Sequence, residues 1–143
     1  MDKRPDKDTY YLDIAAAISK RSTCLRRQYG AVIVNNDEVI ATGYNGAPRG
    51  EMNCNEAGIC WREAHNIPHG EQYEKCVSVH AEMNAIISAA RKEMLGGTLF
   101  LYGYEGKEPM KNPLPCTICR RLIKNAGINR VVNISGDISI EAD

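Results

Sequence analysis

Val77 to Ile86 reads VSVHAEMNAI and sets His80 and Glu82 two residues apart. Behind them runs AEMNAIISAARKEM, rich in Ala and Met with neither Pro nor Gly, which predicts one helix from Ala81 to Met94. A ring nitrogen and a carboxylate at a helix start are an ordinary surface pair unless other metal-capable side chains join them. Two such side chains follow in PLPCTICRR, where Cys116 and Cys119 open a second predicted helix, Pro115 to Gly127. Pro115 suits its first turn and Gly127 its stop. Two thiols at this spacing can share one zinc ion, and the helix dipole favours their thiolate forms. Alone, the pair is equally a redox couple, half of a zinc ribbon or two buried cysteines. Joined to His80 it gives three ligands, which leaves a fourth tetrahedral position open for water. Glu82 stands close enough to exchange protons with that water.

Outward from these motifs the chain alternates between strands and helices. Thr9 to Ser22 carries apolar residues at Tyr11, Ile14, Ala15 and Ile18, the spacing of an amphipathic helix. Ala31–Val34 and Val39–Tyr44 read as strands turning at Asn35-Asn36-Asp37, Thr98–Tyr102 as a short buried strand, and Ile128–Ser135 as a closing one. This order predicts an α/β layered fold, a sheet covered by helices. One domain spans 1–143, with a polar, cysteine-containing insert at about 47–79 that lacks clear periodicity.

Of 143 residues, 43% are hydrophobic and 25% charged, so a sizeable core needs no disulfide framework. Eighteen basic residues balance eighteen acidic ones. That balance argues against broad nucleic-acid binding, which needs a basic face, and leaves room for a small anion held by one or two arginines. The N-terminus, MDKRPDKDTYYLDI, has no apolar signal segment, and no stretch reaches the ~18 apolar residues of a membrane span. The expectation is a cytoplasmic location, where six cysteines serve as ligands, nucleophiles or small buried hydrophobes.

An HxE triplet followed by PCxxC is the signature of zinc deaminases. GAVIV, ATGYNGAPRG, VHAEMNAI and PCTIC follow in the order of the cytidine and deoxycytidylate deaminase superfamily, which the chain resembles from roughly Tyr10 to Ser135. GYNGAPRG and the cysteine-bearing insert resemble the deoxycytidylate (dCMP) deaminases most. The resemblance implies a three-layer α/β/α sandwich around a mixed sheet of about five strands. It implies hydrolytic deamination of dCMP to dUMP and ammonia, with zinc on His80, Cys116 and Cys119. Glu82 would carry a proton from water to N3 of the ring and then help the ammonia leave.

By the same resemblance Asn45 holds the sugar hydroxyl, although a turn residue before Gly46 is its plain alternative. Arg26 and Arg27 are candidates for the 5′-phosphate, with solvated loop charges as the equal alternative. Arg91 falls on the His80 face of the predicted helix but roughly 16 Å along it, which suits a neighbouring subunit or an effector nucleotide better than substrate, with a solvated helix end as the plain alternative. The chain departs from the family at Asn133, where an aromatic residue is frequent, and in the long connection GYEGKEPMKNPLPC.

Cys24, Cys54, Cys60 and Cys76 remain, and the resemblance suggests a second, structural zinc on them, with His65 or His69 able to replace one thiolate. Independent free cysteines are the alternative. A homo-oligomer, a hexamer by resemblance, switched by dCTP and dTTP with Mg alongside an effector, completes the expectation. The rival readings are a deaminase of another nucleotide or of a nucleic-acid base, and a non-catalytic zinc-stabilised binding module linked to DNA uptake.

Overall fold

The computed structural model describes residues 3–53, 66 and 78–140. Helix α1, Lys7–Ser19, starts at Asp6, whose carboxylate accepts the Thr9 N–H at 2.8 Å. It ends where the Ser19 hydroxyl donates to Ala16 O, three residues short of the predicted end. Strands β1, Arg27–Asn35, and β2, Glu38–Tyr44, form an antiparallel hairpin. Asn36 and Asp37 close it at φ 51° and 61°, left-handed positions that Asn and Asp tolerate. β1 extends four residues before its predicted start, because Arg27–Gly30 pair with Tyr102–Glu105 of β3.

β3, Thr98–Glu105, and the two-residue β4, Glu108–Pro109, form a second hairpin. β5, Arg130–Asn133, runs parallel to β3, and β6, Gly136–Ile138, folds back antiparallel on β5. The main path is β2-β1-β3-β5-β6, with β4 on the flank of β3. The sheet is mixed, as expected, with six strands rather than about five. β4 and β6 were hidden because strands of two and three residues carry no readable alternation.

Alternation along β1, β3 and β5 separates two cores. Ala31, Ile33, Leu99, Leu101 and Val131 face α2 (Ala81–Ile87), α3 (Arg91–Met94) and α4 (Thr117–Asn125). Val32, Val34, Phe100 and Val132 face Tyr11, Leu12 and Ala15 of α1. Three layers result. Gly30 and Gly43 let the helices approach the sheet from opposite sides. A Cβ on Gly30 would lie 2.1 Å from Ala15 O, and one on Gly43 2.4 Å from Ala81 O.

The predicted helix from Ala81 to Met94 is two helices. Ala90 is extended (ψ 144°) and its N–H donates to the Glu93 carboxylate three residues on, which restarts the chain as α3. Before it, the Ser88 hydroxyl returns to Asn84 O at 2.9 Å and ends α2. Pro115 likewise precedes the α4 N-cap, Cys116, instead of lying in the first turn. Gly127, at φ +83°, does end α4. Among the described residues no helix is long and apolar enough to cross a membrane.

Candidate metal centre and its surroundings

The C-terminal ends of β2 and β3 and the N-terminal ends of β1, α2 and α4 lie at one end of the sheet. His80 is the N-cap of α2 and Cys116 the N-cap of α4. Both are extended residues with ψ of 153° and 171°, so each leaves the loop and enters its helix facing the same gap. Gly46 and Val79 exchange backbone hydrogen bonds of 3.1 and 2.6 Å, which joins the segment after β2 to the one before His80. The Asn84 side chain donates to Tyr44 O at 2.8 Å and fastens the first turn of α2 to the same strand end. In the sequence, only its place as a polar residue beside Ala81 and Ala85 marks Asn84.

His80 Nδ1 lies 3.6 Å from Cys116 Sγ and 3.4 Å from Cys119 Sγ. All three ligand atoms fall within 4.8 Å of one another. Tetrahedral zinc, bonded at ~2.3 Å to sulfur and ~2.0–2.1 Å to imidazole, sets N and S about 3.6 Å apart. The His80 ring nitrogen thus already stands at about the separation from each sulfur that zinc requires, and the donor set is one that zinc favours. Among the described residues no fourth His, Cys, Asp or Glu joins the group.

The thiols are unequal. The Cys116 thiol is held down to about 4, first by the hydrogen bond from the Cys119 side chain and then by His80 and the Cys119 N–H. Cys119, fully buried, is pushed up by its bond to Cys116 and by burial. Glu82, 5% exposed, lies beside Cys119 and His80, and burial raises its carboxyl above the ordinary range. A buried carboxyl biased toward its protonated form can both accept and return a proton near neutral pH. Three protein ligands are one fewer than a closed structural zinc site uses and the number typical of a catalytic one.

Asn45 is buried at the end of β2. Its Oδ1 accepts from Tyr29 N at 2.8 Å and from the Ser22 hydroxyl at 2.6 Å, while its Nδ2 donates to Arg27 O at 2.9 Å. The side chain ties β1 to the segment before it, which is more than the isolated turn role. Arg26 is half-buried just before β1. The Arg27 guanidinium donates to the Glu105 carboxylate across the β1–β3 pair.

Arg91 does not lie on the face of a continuous His80 helix, since the chain breaks at Ala90. It starts α3, is exposed, and donates from Nε to Asn125 O at 3.0 Å, where it satisfies the final carbonyl of α4. Cys24 is half-buried before β1 and unbonded to another cysteine. Cys54, Cys60, Cys76, His65 and His69, and most of the insert that holds them, lie outside the described residues.

The chain matches the cytidine and deoxycytidylate deaminase zinc-binding region over residues 5–135. It belongs to that family. Deoxycytidylate deaminase of Schizosaccharomyces pombe is 40% identical over 129 residues, covering 90% of this chain and 37% of the relative. Deoxycytidylate deaminase of Mycobacterium phage D29 is 41% identical over 134 residues, covering 90% of this chain and 94% of the relative. The crystal structure of dCMP deaminase from cyanophage S-TIM5 in complex with dCMP and dUMP superposes with a TM-score of 0.63 at 26% identity, covering 92% of this chain and 83% of that one. This chain therefore spans little more than a third of the yeast relative and nearly all of the D29 one.

Proposed function

We propose that this protein is a zinc-dependent dCMP deaminase, converting dCMP and water to dUMP and ammonia in pyrimidine nucleotide metabolism. The observation that carries the reading is the buried Glu82 carboxyl beside the His80, Cys116 and Cys119 trio. The deoxycytidylate deaminases to which the chain is similar support the choice of substrate.

Bound on these three residues, zinc supplies the Lewis acidity that makes a water nucleophilic near neutral pH. Glu82 accepts the proton that this water loses and delivers it to N3 of the cytosine ring. The water oxygen would bond to C4, and the proton it still carries would pass through Glu82 to the exocyclic nitrogen, whose bond to C4 then breaks to release ammonia and leave the C4 carbonyl. Burial suits both transfers, because it lifts the carboxyl toward the pH at which it works. The Nδ2 of Asn45 makes one hydrogen bond among the described residues, to Arg27 O, and its second hydrogen suits a sugar hydroxyl. Arg26 is the 5′-phosphate candidate, since Arg27 is engaged by Glu105.

The remaining readings extend the same proposal. The protein acts in the cytoplasm as a homo-oligomer, a hexamer by resemblance. Exposed Ile118 and Leu122, one turn apart on α4, and Ile87 at the end of α2 supply apolar surface for that assembly. Effector nucleotides, dCTP with Mg and dTTP, regulate it, and a second zinc draws on Cys24.

The test is ammonia release by zinc-loaded protein from dCMP, dCTP, cytidine and deoxycytidine, with and without the effectors. Turnover of dCMP above the others is the expected result. Turnover of none of the four overturns the reading.

A further inference from the structure

Asn133 ends β5 at 1% exposure, a buried amide where an apolar or aromatic side chain would fit the sheet face. Its polar groups are all used. Nδ2 donates to Asn112 Oδ1 at 2.8 Å and to Pro113 O at 2.9 Å, and Oδ1 accepts from Ser135 N at 2.8 Å. The Ser135 hydroxyl donates to Lys111 O beside them. The corner after β5 therefore grips residues 111, 112 and 113 of the connection that leads into Cys116.

That connection needs an outside grip. Pro113 and Pro115 are fully buried and neither has an N–H, so this stretch cannot be fixed through those donors. Its carbonyls are fixed instead. Asn133 takes Pro113 O, and the Arg120 Nε takes Pro115 O at 3.1 Å. Cys116 follows at once, as the N-cap of α4 and a neighbour of His80. Only a side chain with two N–H donors and an acceptor on one planar group can make the three Asn133 contacts at this length.

We propose that Asn133 is a positioning residue for the metal centre: its amide sets the Pro113–Pro115 connection and thereby the place of Cys116 relative to His80 and Cys119. It touches neither metal nor substrate. The two departures from the family pattern, Asn133 and the long connection, become one device, each requiring the other.

The proposal rests on the zinc-site reading, so bound zinc in the unaltered protein is measured first. Absence of zinc there overturns the reading and the proposal together. Zinc affinity by chelator competition, and the absorption spectrum of the cobalt-substituted protein, are then compared among variants. Asn133→Leu should lower zinc affinity roughly 10- to 100-fold, the range for residues that orient ligands, and alter the cobalt spectrum. Asn112→Ala, at an exposed position, should lower it less, leaving Pro113 O still bonded. Asp8→Ala, on α1 and away from the centre, removes an ion pair with Arg130 of β5 and should leave affinity unchanged. An unchanged affinity and spectrum in folded Asn133→Leu overturns the proposal, as does an equal loss in Asp8→Ala. If Asn133→Leu does not fold, Asn112→Ala decides, and an unaltered affinity there counts against it.

Discussion

Gly43 of β2 and Ala81 of α2 stand so close that a Cβ on the glycine would lie 2.4 Å from the Ala81 carbonyl oxygen and 2.5 Å from Ala85 N. Both clashes are with helix backbone, which cannot rotate away as a side chain can. Gly43→Ala must therefore push α2 off the sheet, and α2 carries His80 at its N-cap. The expected cost is about 1–3 kcal/mol of stability, the usual range for overpacking, with weaker zinc binding in the protein that remains folded. Gly30→Ala meets Ala15 O on the opposite face, at α1, which bears no ligand. It should destabilise comparably and leave zinc affinity intact. Thermal melts with chelator titration check both, and equal zinc affinities in the two variants would contradict the account.

The parts legible from sequence were those set by short-range chemistry. The β1–β2 turn at Asn36-Asp37 and the Gly127 stop are local signals, and each appears in the fold. The spacings HxE and CxxC suggested a shared ion, and the structure brings His80, Cys116 and Cys119 together. What escaped was set by contacts distant in sequence. Nothing local shows that Ser88 and Glu93 divide one Ala-rich run into two helices, because propensity alone favours continuity. Nor does a lone Asn at 133 show that it serves Pro113, twenty residues earlier.

Cys116 and Cys119 should react differently once the metal is removed. With its thiol held down to about 4, Cys116 is a thiolate at neutral pH, whereas Cys119 is buried and pushed up. Alkylation of chelator-treated protein, read peptide by peptide, should label Cys116 first. Its rate should be nearly flat from about pH 6 to 8, where an ordinary thiol with a pKa of ~8.5 gains close to tenfold per pH unit. Zinc loading should protect both. Labelling of Cys119 ahead of Cys116 would contradict the assignment.

Glu82→Gln keeps the size of a buried side chain and removes its titration. Loss of a proton carrier should lower dCMP turnover by roughly 10²- to 10⁴-fold with zinc content unchanged. Stability should move the other way. Burial raises the folded carboxyl above its ordinary value, so the folded state is favoured below about 4.5 and loses that advantage as pH rises through the raised value. Metal-free Glu82→Gln should accordingly match the unaltered protein in acid and be at least as stable at neutral pH. Melts of the two metal-free proteins across that range measure it, and undiminished turnover by the variant would remove Glu82 from the mechanism.

Asp37 gives a stability window with two edges. Lys7 Nζ donates to Oδ2 at 2.8 Å and the Tyr11 hydroxyl donates to Oδ1, so the hairpin turn is fastened to α1. The Lys7 bond, then the Tyr11 bond, holds the Asp37 carboxyl below its usual 3.8. A lowered folded value stabilises above pH ~4, and the gain disappears as pH falls through that lowered value. The same contact pushes Tyr11 up to about 12, chiefly through its hydrogen bond to Asp37. A raised folded value stabilises below pH ~10, and that gain is lost between there and about 12. Asp37→Asn tolerates the left-handed turn but lacks the charge. Its melting temperature should therefore lie below that of the unaltered protein from about pH 4 to 10 and converge with it beyond either edge. A constant difference across the whole pH range would mean that the turn geometry, and not the ionised Asp37–Tyr11 contact, sets the stability.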